Sequence, residues 1–196
     1  MHLKVFGKLF LMGVTITAPL SAQVGPSAES SIATHWNIGA TYSQARFSQT
    51  KGGSFWVQGT GIQSQFKVGA RLGLVSDGRI YYTSNINSTG VGLNFVSVTA
   101  GPRFTFPIRQ KMAVFGQALF GGSLAYNGLF PNGKGGLTTS AGGLAIIAGG
   151  GMEMRLSERV ILRPIEVDRL RVHLPNGVNN TQNALALGAG INYWFK

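Results

Sequence analysis

The stretch FVSVTAGPRFTF, residues 95–106, alternates apolar side chains with small or polar ones. One face carries Val96, Val98, Ala100, Pro102, Phe104 and Phe106. The other face carries Ser97, Thr99, Gly101, Arg103 and Thr105. A period of two residues is typical of a β-strand whose two faces meet different surroundings. The stretch therefore predicts a strand with one apolar face and one polar face.

Seven further segments alternate in the same way, and turn-forming residues separate them. The predicted strands are 36–47, 55–66, 69–82, 95–106, 112–126, 142–156, 159–174 and 184–195. The links after the second, fourth and sixth strands are short, whereas those after the third, fifth and seventh are longer and rich in Asn, Gly, Ser and Thr. This rhythm is typical of an up-and-down barrel that crosses an outer membrane with its short turns in the periplasm.

The composition of the polar face separates a membrane barrel from a soluble one. A soluble barrel points its apolar face inward and covers its outside with charged residues, but only 12% of this chain is charged. Gly, Ser and Thr on the second face suit the narrow interior of an eight-stranded barrel. Aromatic residues near the strand ends are typical of interfacial girdles. Residues 34–196 therefore predict an all-β fold, an eight-stranded antiparallel up-and-down transmembrane β-barrel.

The first 22 residues have the pattern of a secretory signal peptide. Lys4 and Lys8 precede an apolar run at residues 9–16, which is well short of the roughly 20 residues that a membrane helix needs. We expect cleavage after Ala22, a flexible periplasmic leader at residues 23–33, and export to the bacterial outer membrane.

Composition also bounds the chemistry. The chain has no cysteine, which excludes disulfides and thiolate nucleophiles, and its three histidines are far apart in sequence. We therefore expect no metal and no cofactor. The formal net charge is +11, and an excess of Lys and Arg favours anionic partners. For an exported barrel, lipid phosphates fit that role better than nucleic acid.

Several segments resemble a known family. These are GPRFTF at 101–106, VFGQALFGG at 114–122, GGGMEMRLSERVILRPIEVD at 149–168 and NNTQNALALGAGINYWF at 179–195. They are similar to the bacterial outer-membrane β-barrel domain family, which includes the OmpA-like and OmpX-like small barrels. The family pattern maps onto Gly149, Gly150, Gly151, Glu153, Arg163, Pro164, Val167 and Asp168.

Two positions depart from that family pattern. Arg169 stands where the family often has Tyr, and Lys196 follows the terminal aromatic Phe195. The resemblance implies an eight-stranded barrel that the barrel-assembly machinery inserts. It implies no single activity, because this family includes anchors, adhesins and resistance factors.

Charged residues also occur on the predicted inward faces. They are Arg71, Arg103, Glu153, Arg155 and Arg163. Strict alternation would turn Glu166 and Asp168 outward, at a cost of about 2 kcal/mol or more each at membrane depth. Proline cannot donate to the strand ladder and commonly marks a bulge. We therefore predict a bulge between Arg163 and Val167 that turns both carboxylates inward.

Three roles are open to these inward charges. They can pair in a network that closes the lumen, because an unpaired buried ion is costly. They can line a proton or ion path in a narrow, porin-like passive channel. They can also supply a catalytic dyad, with Glu166 near His173, in a lipid-modifying enzyme, although no nucleophile motif accompanies them.

The working hypothesis is a plugged barrel whose partners are envelope lipids. We assign no catalytic residue. Its role would be envelope structure or surface interaction through loops at about 83–94, 127–141 and 175–183. We expect a monomer that contacts lipopolysaccharide-type phosphates. The candidate contacts are Arg79, Lys134, Arg169 and Arg171.

Overall fold

The predicted alternation becomes a closed antiparallel barrel of eight strands in sequence order, with β8 pairing to β1. The computed structural model describes residues 36–48, 53–87, 89–132 and 135–195. The strands are β1 (Trp36–Ser48), β2 (Ser54–Lys67), β3 (Leu72–Thr83), β4 (Leu93–Arg109), β5 (Met112–Pro131), β6 (Leu137–Arg155), β7 (Val160–Val172) and β8 (Gln182–Phe195). The predicted fold class and all eight strands are confirmed.

The chain divides into two units, Met1–Ile32 and Ala33–Lys196, and every strand belongs to the second. The predicted signal peptide at 1–22 and leader at 23–33 lie outside the described residues. Over the residues that are described, no helix has the length and apolar character needed to cross a membrane.

The two ends of the barrel differ in the length of their connections. Links 68–71, 110–111 and 156–159 lie at the end where β1 begins and β8 ends, which we call the turn end. The connections 84–92 and 173–181 lie at the opposite end, which we call the loop end. In barrels of this architecture the turn end faces the periplasm.

One predicted loop is wrong. Most of segment 127–141 is strand, because β5 and β6 continue to pair beyond a register shift between Tyr126 and Phe130. Asn127 lies in this shift with a φ of 60°, a left-handed conformation that Asn adopts more readily than most residues. The Asn and Gly content of segment 127–141 predicts a loop. Because β5 and β6 are already paired, however, they extend their ladder through this segment.

The outside of the barrel is apolar. Large apolar side chains are exposed on every strand, and Val98 and Ile62 reach 67% and 63%. Exposed aromatics occur toward both ends, with Trp36 stacked on Phe195 at the turn end and Tyr82 paired to Asn94 near the loop end. A surface of this kind is stable against lipid. Lipid offers no hydrogen-bond partners, and closing the sheet pairs the backbone groups of strands that would otherwise be edges.

The lumen has two layers. Near the loop end it is packed with apolar side chains, among them Phe47, Phe55, Tyr81, Phe95 and Leu170. Nearer the turn end it is polar and charged. The sequence did not reveal the apolar layer, because both faces are apolar there: Ala145 and Ile147 point inward while Ile146 lies between them on the other face.

The bulge at Pro164 is confirmed. The pairing of β7 with β8 shifts register between Arg163 and Glu166. Ile165 and Val167 are consequently on the outside, 43% and 41% exposed, and Glu166 is buried. The bulge allows one strand to present charged residues to the lumen and apolar residues to lipid on both sides of Pro164.

Deleting Pro164 together with Ile165 should therefore prevent folding. The shortened β7 makes Arg163 and Glu166 neighbours on opposite faces, so either Arg163 or the pair Glu166 and Asp168 must face lipid, at about 2 kcal/mol or more for each charge. We expect this variant to lose the heat-modifiable gel mobility of a folded barrel. Deleting Pro164 alone removes only the extra residue of the bulge, keeps all three charges inward under regular alternation, and should retain that mobility; equal folding of the two variants would contradict the register.

Candidate functional site

The charged layer of the lumen brings seven ionisable side chains together from four strands. All are at most 8% exposed. They are Asp77 and Arg79 on β3, Arg103 on β4, Glu153 on β6, and Arg163, Glu166 and Asp168 on β7. We call this set the lumen network.

Arg79 is surrounded by three carboxylates. Its Nε donates to Asp77 Oδ1 at 2.8 Å. Its Nη2 lies 2.8 Å from Glu166 Oε1 and 2.7 Å from Asp168 Oδ2. The contacts with Asp77 and Glu166 are charge-assisted hydrogen bonds, the strong class, and the contact with Asp168 is an ion pair, so one guanidinium fixes the carboxylates of two strands.

Arg163 links the two ends of the network. Its Nη1 donates to Glu166 Oε2 and to Gln63 Oε1, both at 2.7 Å, and its Nη2 donates to Glu153 Oε1 at 3.2 Å. The guanidinium also lies 4.8 Å from the centre of the Phe115 ring. A cation over an aromatic face gains further stabilisation where water is excluded.

Arg103 is held mainly by neutral amides. It donates to Gln63 Oε1 at 2.7 Å and to Gln65 Oε1 at 3.3 Å, while Glu153 Oε1 is 3.8 Å away. It also donates to Gln117 Oε1, whose own Nε2 donates to Glu166 and Asp168 at 3.2 and 3.1 Å. The glutamines therefore connect cations to carboxylates that do not touch them directly.

Two glycines of the GGG motif make room for this layer. A Cβ at Gly149 would lie 2.1 Å from Asp168 Oδ1, and one at Gly151 would lie 2.3 Å from the carbonyl oxygen of Ile165. Any larger residue would push into the carboxylates or into the bulged strand. The motif is thus a spatial requirement of the network.

The structure brings together five of the residues predicted to form the network: Arg103, Glu153, Arg163, Glu166 and Asp168. It places the other two elsewhere. Arg71 precedes β3 and Arg155 ends β6, so both are exposed at the turn end and the prediction that they join the network is wrong. The barrel wall no longer encloses side chains at those positions.

The predicted lipid contact of Arg79 is also wrong, because this side chain is 4% exposed and points into the lumen. Asp77 was missed altogether. Continuing the alternation of β3 past Gly73 places residues 75, 77, 79 and 81 on the inward face. That signal was sufficient to assign both residues to the lumen.

The remaining predicted residues lie on or near the outer surface. Arg169 and Arg171 are exposed, and Lys134 lies outside the described residues. His173 is exposed between the buried Val172 and Leu174, whereas Glu166 is in the lumen, so these two do not form a dyad. In the described part of the chain no group of His, Asp and Glu side chains is arranged to hold a metal ion.

The network interrupts the interior space. A cavity of about 130 Å³ lies at the turn end and another of about 430 Å³ at the loop end, and a cavity of about 10 Å³ lies beside Arg79, Glu166 and Asp168. The ion pairs and hydrogen bonds of the lumen network are suited to cross-linking the strands from inside the barrel.

Removing one partner from this network should destabilise the barrel strongly. Arg163→Met removes the guanidinium that contacts both Glu153 and Glu166, so Glu153 keeps only Arg103 at 3.8 Å and Glu166 keeps Arg79. We expect a loss of about 3–5 kcal/mol in the free energy of unfolding. Urea unfolding in detergent micelles, followed by gel mobility, measures this. Adding Glu166→Gln should recover part of the loss.

Arg155→Met is the matched control, because Arg155 is exposed and its loss should change stability by roughly 0.5 kcal/mol or less. An Arg163→Met variant as stable as this control would contradict the assigned role of the network.

Comparison with known proteins shows the fold. No family model matches the chain, and no curated protein matches it in sequence. Among solved structures, Neisserial surface protein A (NspA) matches with a TM-score of 0.63 at 17% identity, over 82% of this chain and 97% of that one. Ail, the attachment invasion locus protein of Yersinia pestis, matches with a TM-score of 0.53 at 17% identity, over 83% and 99%.

A second Ail structure, in complex with the heparin analogue sucrose octasulfate, matches with a TM-score of 0.56 at 17% identity, over 83% of this chain and 99% of that one. At this identity the likeness concerns the fold. Combined with the apolar exterior and the closed eight-stranded topology, it establishes the chain as a small β-barrel with the fold of bacterial outer-membrane proteins.

Proposed function

We propose that this chain is a non-conducting outer-membrane barrel that serves envelope structure or surface interaction through its loop end. The observation that carries this proposal is the filling of the lumen at two successive levels. The lumen network occupies the level nearer the turn end, and the apolar layer occupies the level above it.

The apolar layer is a packed aromatic cluster. Phe47 stacks on Phe55 with ring centres 5.6 Å apart and meets Phe95 edge-on at 5.8 Å, and Tyr81 lies 6.1 Å from Phe95. Ions crossing the barrel would have to break the network and then enter an apolar region without hydration, where an isolated charge is very costly. A passive channel, the alternative role, lacks a continuous polar path through these two layers.

An enzymatic role is also less favoured. The separation of His173 from Glu166 by the barrel wall removes the one candidate dyad. The charged groups of the lumen contact one another and nearby glutamines, an arrangement that favours a structural role over substrate binding.

The purified, refolded barrel should produce no steady openings in planar lipid bilayers. An open porin incorporated into the same bilayers is the control for detection. Steady single-channel conductance by the wild-type barrel would reject the non-conducting role in favour of the passive channel.

Surface interaction is supported by the loop end. Its cavity is lined largely by apolar side chains from strand ends and two connections, including Ile86, Phe130 and Val178. Leu137 and Val178 are 64% and 63% exposed there. Exposed apolar groups beside a cavity commonly mark contact sites.

We propose that the chain is inserted by the barrel-assembly machinery and remains a monomer, because the closed sheet has no free strand edge.

We also propose that the outer wall near the loop end binds lipopolysaccharide-type phosphates. Arg46 and Arg169 both lie opposite Leu185, one on each side of β8, and line one groove of the outer surface. Arg171 lies two residues further along β7. Guanidiniums bind phosphates through paired hydrogen bonds, and long arginine stems can extend toward headgroups. The polysulfated ligand of the Ail complex supports an anionic partner by analogy.

Replacing Arg169 and Arg171 with Ser should therefore reduce the lipopolysaccharide retained by the purified barrel several-fold, because two phosphate-binding groups are lost. Retention is measured by quantifying lipopolysaccharide after washing immobilised protein. Arg159→Ser, which removes an exposed cation at the turn end, is the control and should retain the wild-type amount. Equal retention by the double variant would contradict the proposed contact.

A further inference from the structure

The cavity at the turn end is lined by an unusual excess of positive charge. It has a volume of about 130 Å³. Five cationic residues from β2, β4, β6 and two links line it: Lys67, Arg71, Arg109, Lys111 and Arg155. We call this cavity the turn-end vestibule.

The vestibule has little negative charge to balance these cations. Glu153 is the one carboxylate in its lining, and that side chain already accepts from Arg163 at 3.2 Å and lies 3.8 Å from Arg103. Asp77, Glu166 and Asp168 are committed to the lumen network. Across the described ranges, none of the five vestibule cations forms an ion pair with a carboxylate.

Aromatic rings hold two of these cations near the opening. The Lys67 ammonium lies 4.7 Å from the centre of the Trp194 ring, and the Arg71 guanidinium lies 5.9 Å from that of Phe106. Such contacts restrict long side chains that would otherwise spread into water. The cations are therefore partly arranged before any anion arrives, which lowers the ordering cost of binding.

We propose that the turn-end vestibule binds a phosphate group. Guanidiniums match phosphate oxygens in paired hydrogen bonds, and an ammonium adds a compact charge. A bound water needs about 10–15 Å³ of cavity volume, so the vestibule has room for one phosphate group in place of several waters. The group can come from free phosphate in the periplasm or from a phospholipid headgroup of the inner leaflet.

The vestibule contains its own reporter, because Trp194 lines it beside Lys67. A Trp36→Phe/Trp56→Phe background leaves Trp194 as the one tryptophan, since the chain has three. This protein, refolded in non-ionic detergent, is titrated with sodium phosphate at constant ionic strength, with sodium acetate and sodium chloride as comparison anions. We expect a saturable change in Trp194 fluorescence with phosphate alone.

Variants test whether the vestibule cations carry the binding. Lys67→Gln/Arg155→Gln should weaken phosphate binding by about tenfold or more, because two charge-assisted contacts are lost. Lys67→Arg/Arg155→Lys keeps both charges and should keep binding. Arg169→Gln/Arg171→Gln, which removes the same charge from the outer wall, is the matched control. Gel mobility verifies that each variant is folded.

The lipid source is tested by adding a short-chain phosphatidylglycerol to the micelles, with an uncharged diacylglycerol as its control. A Trp194 response to inorganic phosphate assigns a site for free phosphate, and a response to the phospholipid alone assigns a headgroup site. The proposal is overturned if neither probe gives a response, if acetate acts as strongly as phosphate, or if the outer-wall variant weakens binding as much as the vestibule variant.

Discussion

Ions enclosed in a narrow membrane barrel must be paired within it, and the rest of the structure depends on this constraint. Arg79 meets it by contacting three carboxylates. Asp77, Glu166 and Asp168 are all within 2.8 Å of that guanidinium. Two of them come from β7, so this strand must turn acidic residues inward through the middle of the wall. The bulge at Pro164 and the inward glycines of β6 both follow from that requirement.

The same constraint divides the barrel along its axis. A layer of paired ions occupies the lumen nearer the turn end, and an apolar layer occupies it nearer the loop end. The first layer gives directional cross-links between strands, and the second gives close packing. Under the proposed function each layer obstructs the passage of ions for a different reason, and the role proposed for this barrel therefore concerns its surfaces and not its interior.

The sequence was sufficient to predict the barrel because two-residue periodicity survives wherever the two faces differ. It also predicted the bulge, since Glu166 and Asp168 made strict alternation untenable. Alternation fails where both faces are apolar, so the inner layer around Ile147 was not predicted. It also fails at strand ends, where Arg71 and Arg155 leave the enclosed lumen although their spacing points inward.

The partners within the network were harder to predict than its members. Arg79 was assigned to the outer wall, although the periodicity of β3 places it with Asp77 in the lumen. Alternation places Gln63, Gln65 and Gln117 on inward faces, but it assigns them no role in the network, because an uncharged amide has no distinctive spacing. Their roles depend on how strands far apart in sequence meet across the lumen.

That distance in sequence has a kinetic consequence. Gln63 and Arg163 are 100 residues apart, and Gln63 and Glu166 are 103 apart, yet both pairs are in contact. Contacts so remote form late, after the loop-closure entropy between them has been lost. A sheet that has not yet closed into a barrel would leave its guanidiniums and carboxylates unpaired at membrane depth. Partly assembled barrels are consequently high in free energy, and closure of the sheet and pairing of its charges should occur as one cooperative event.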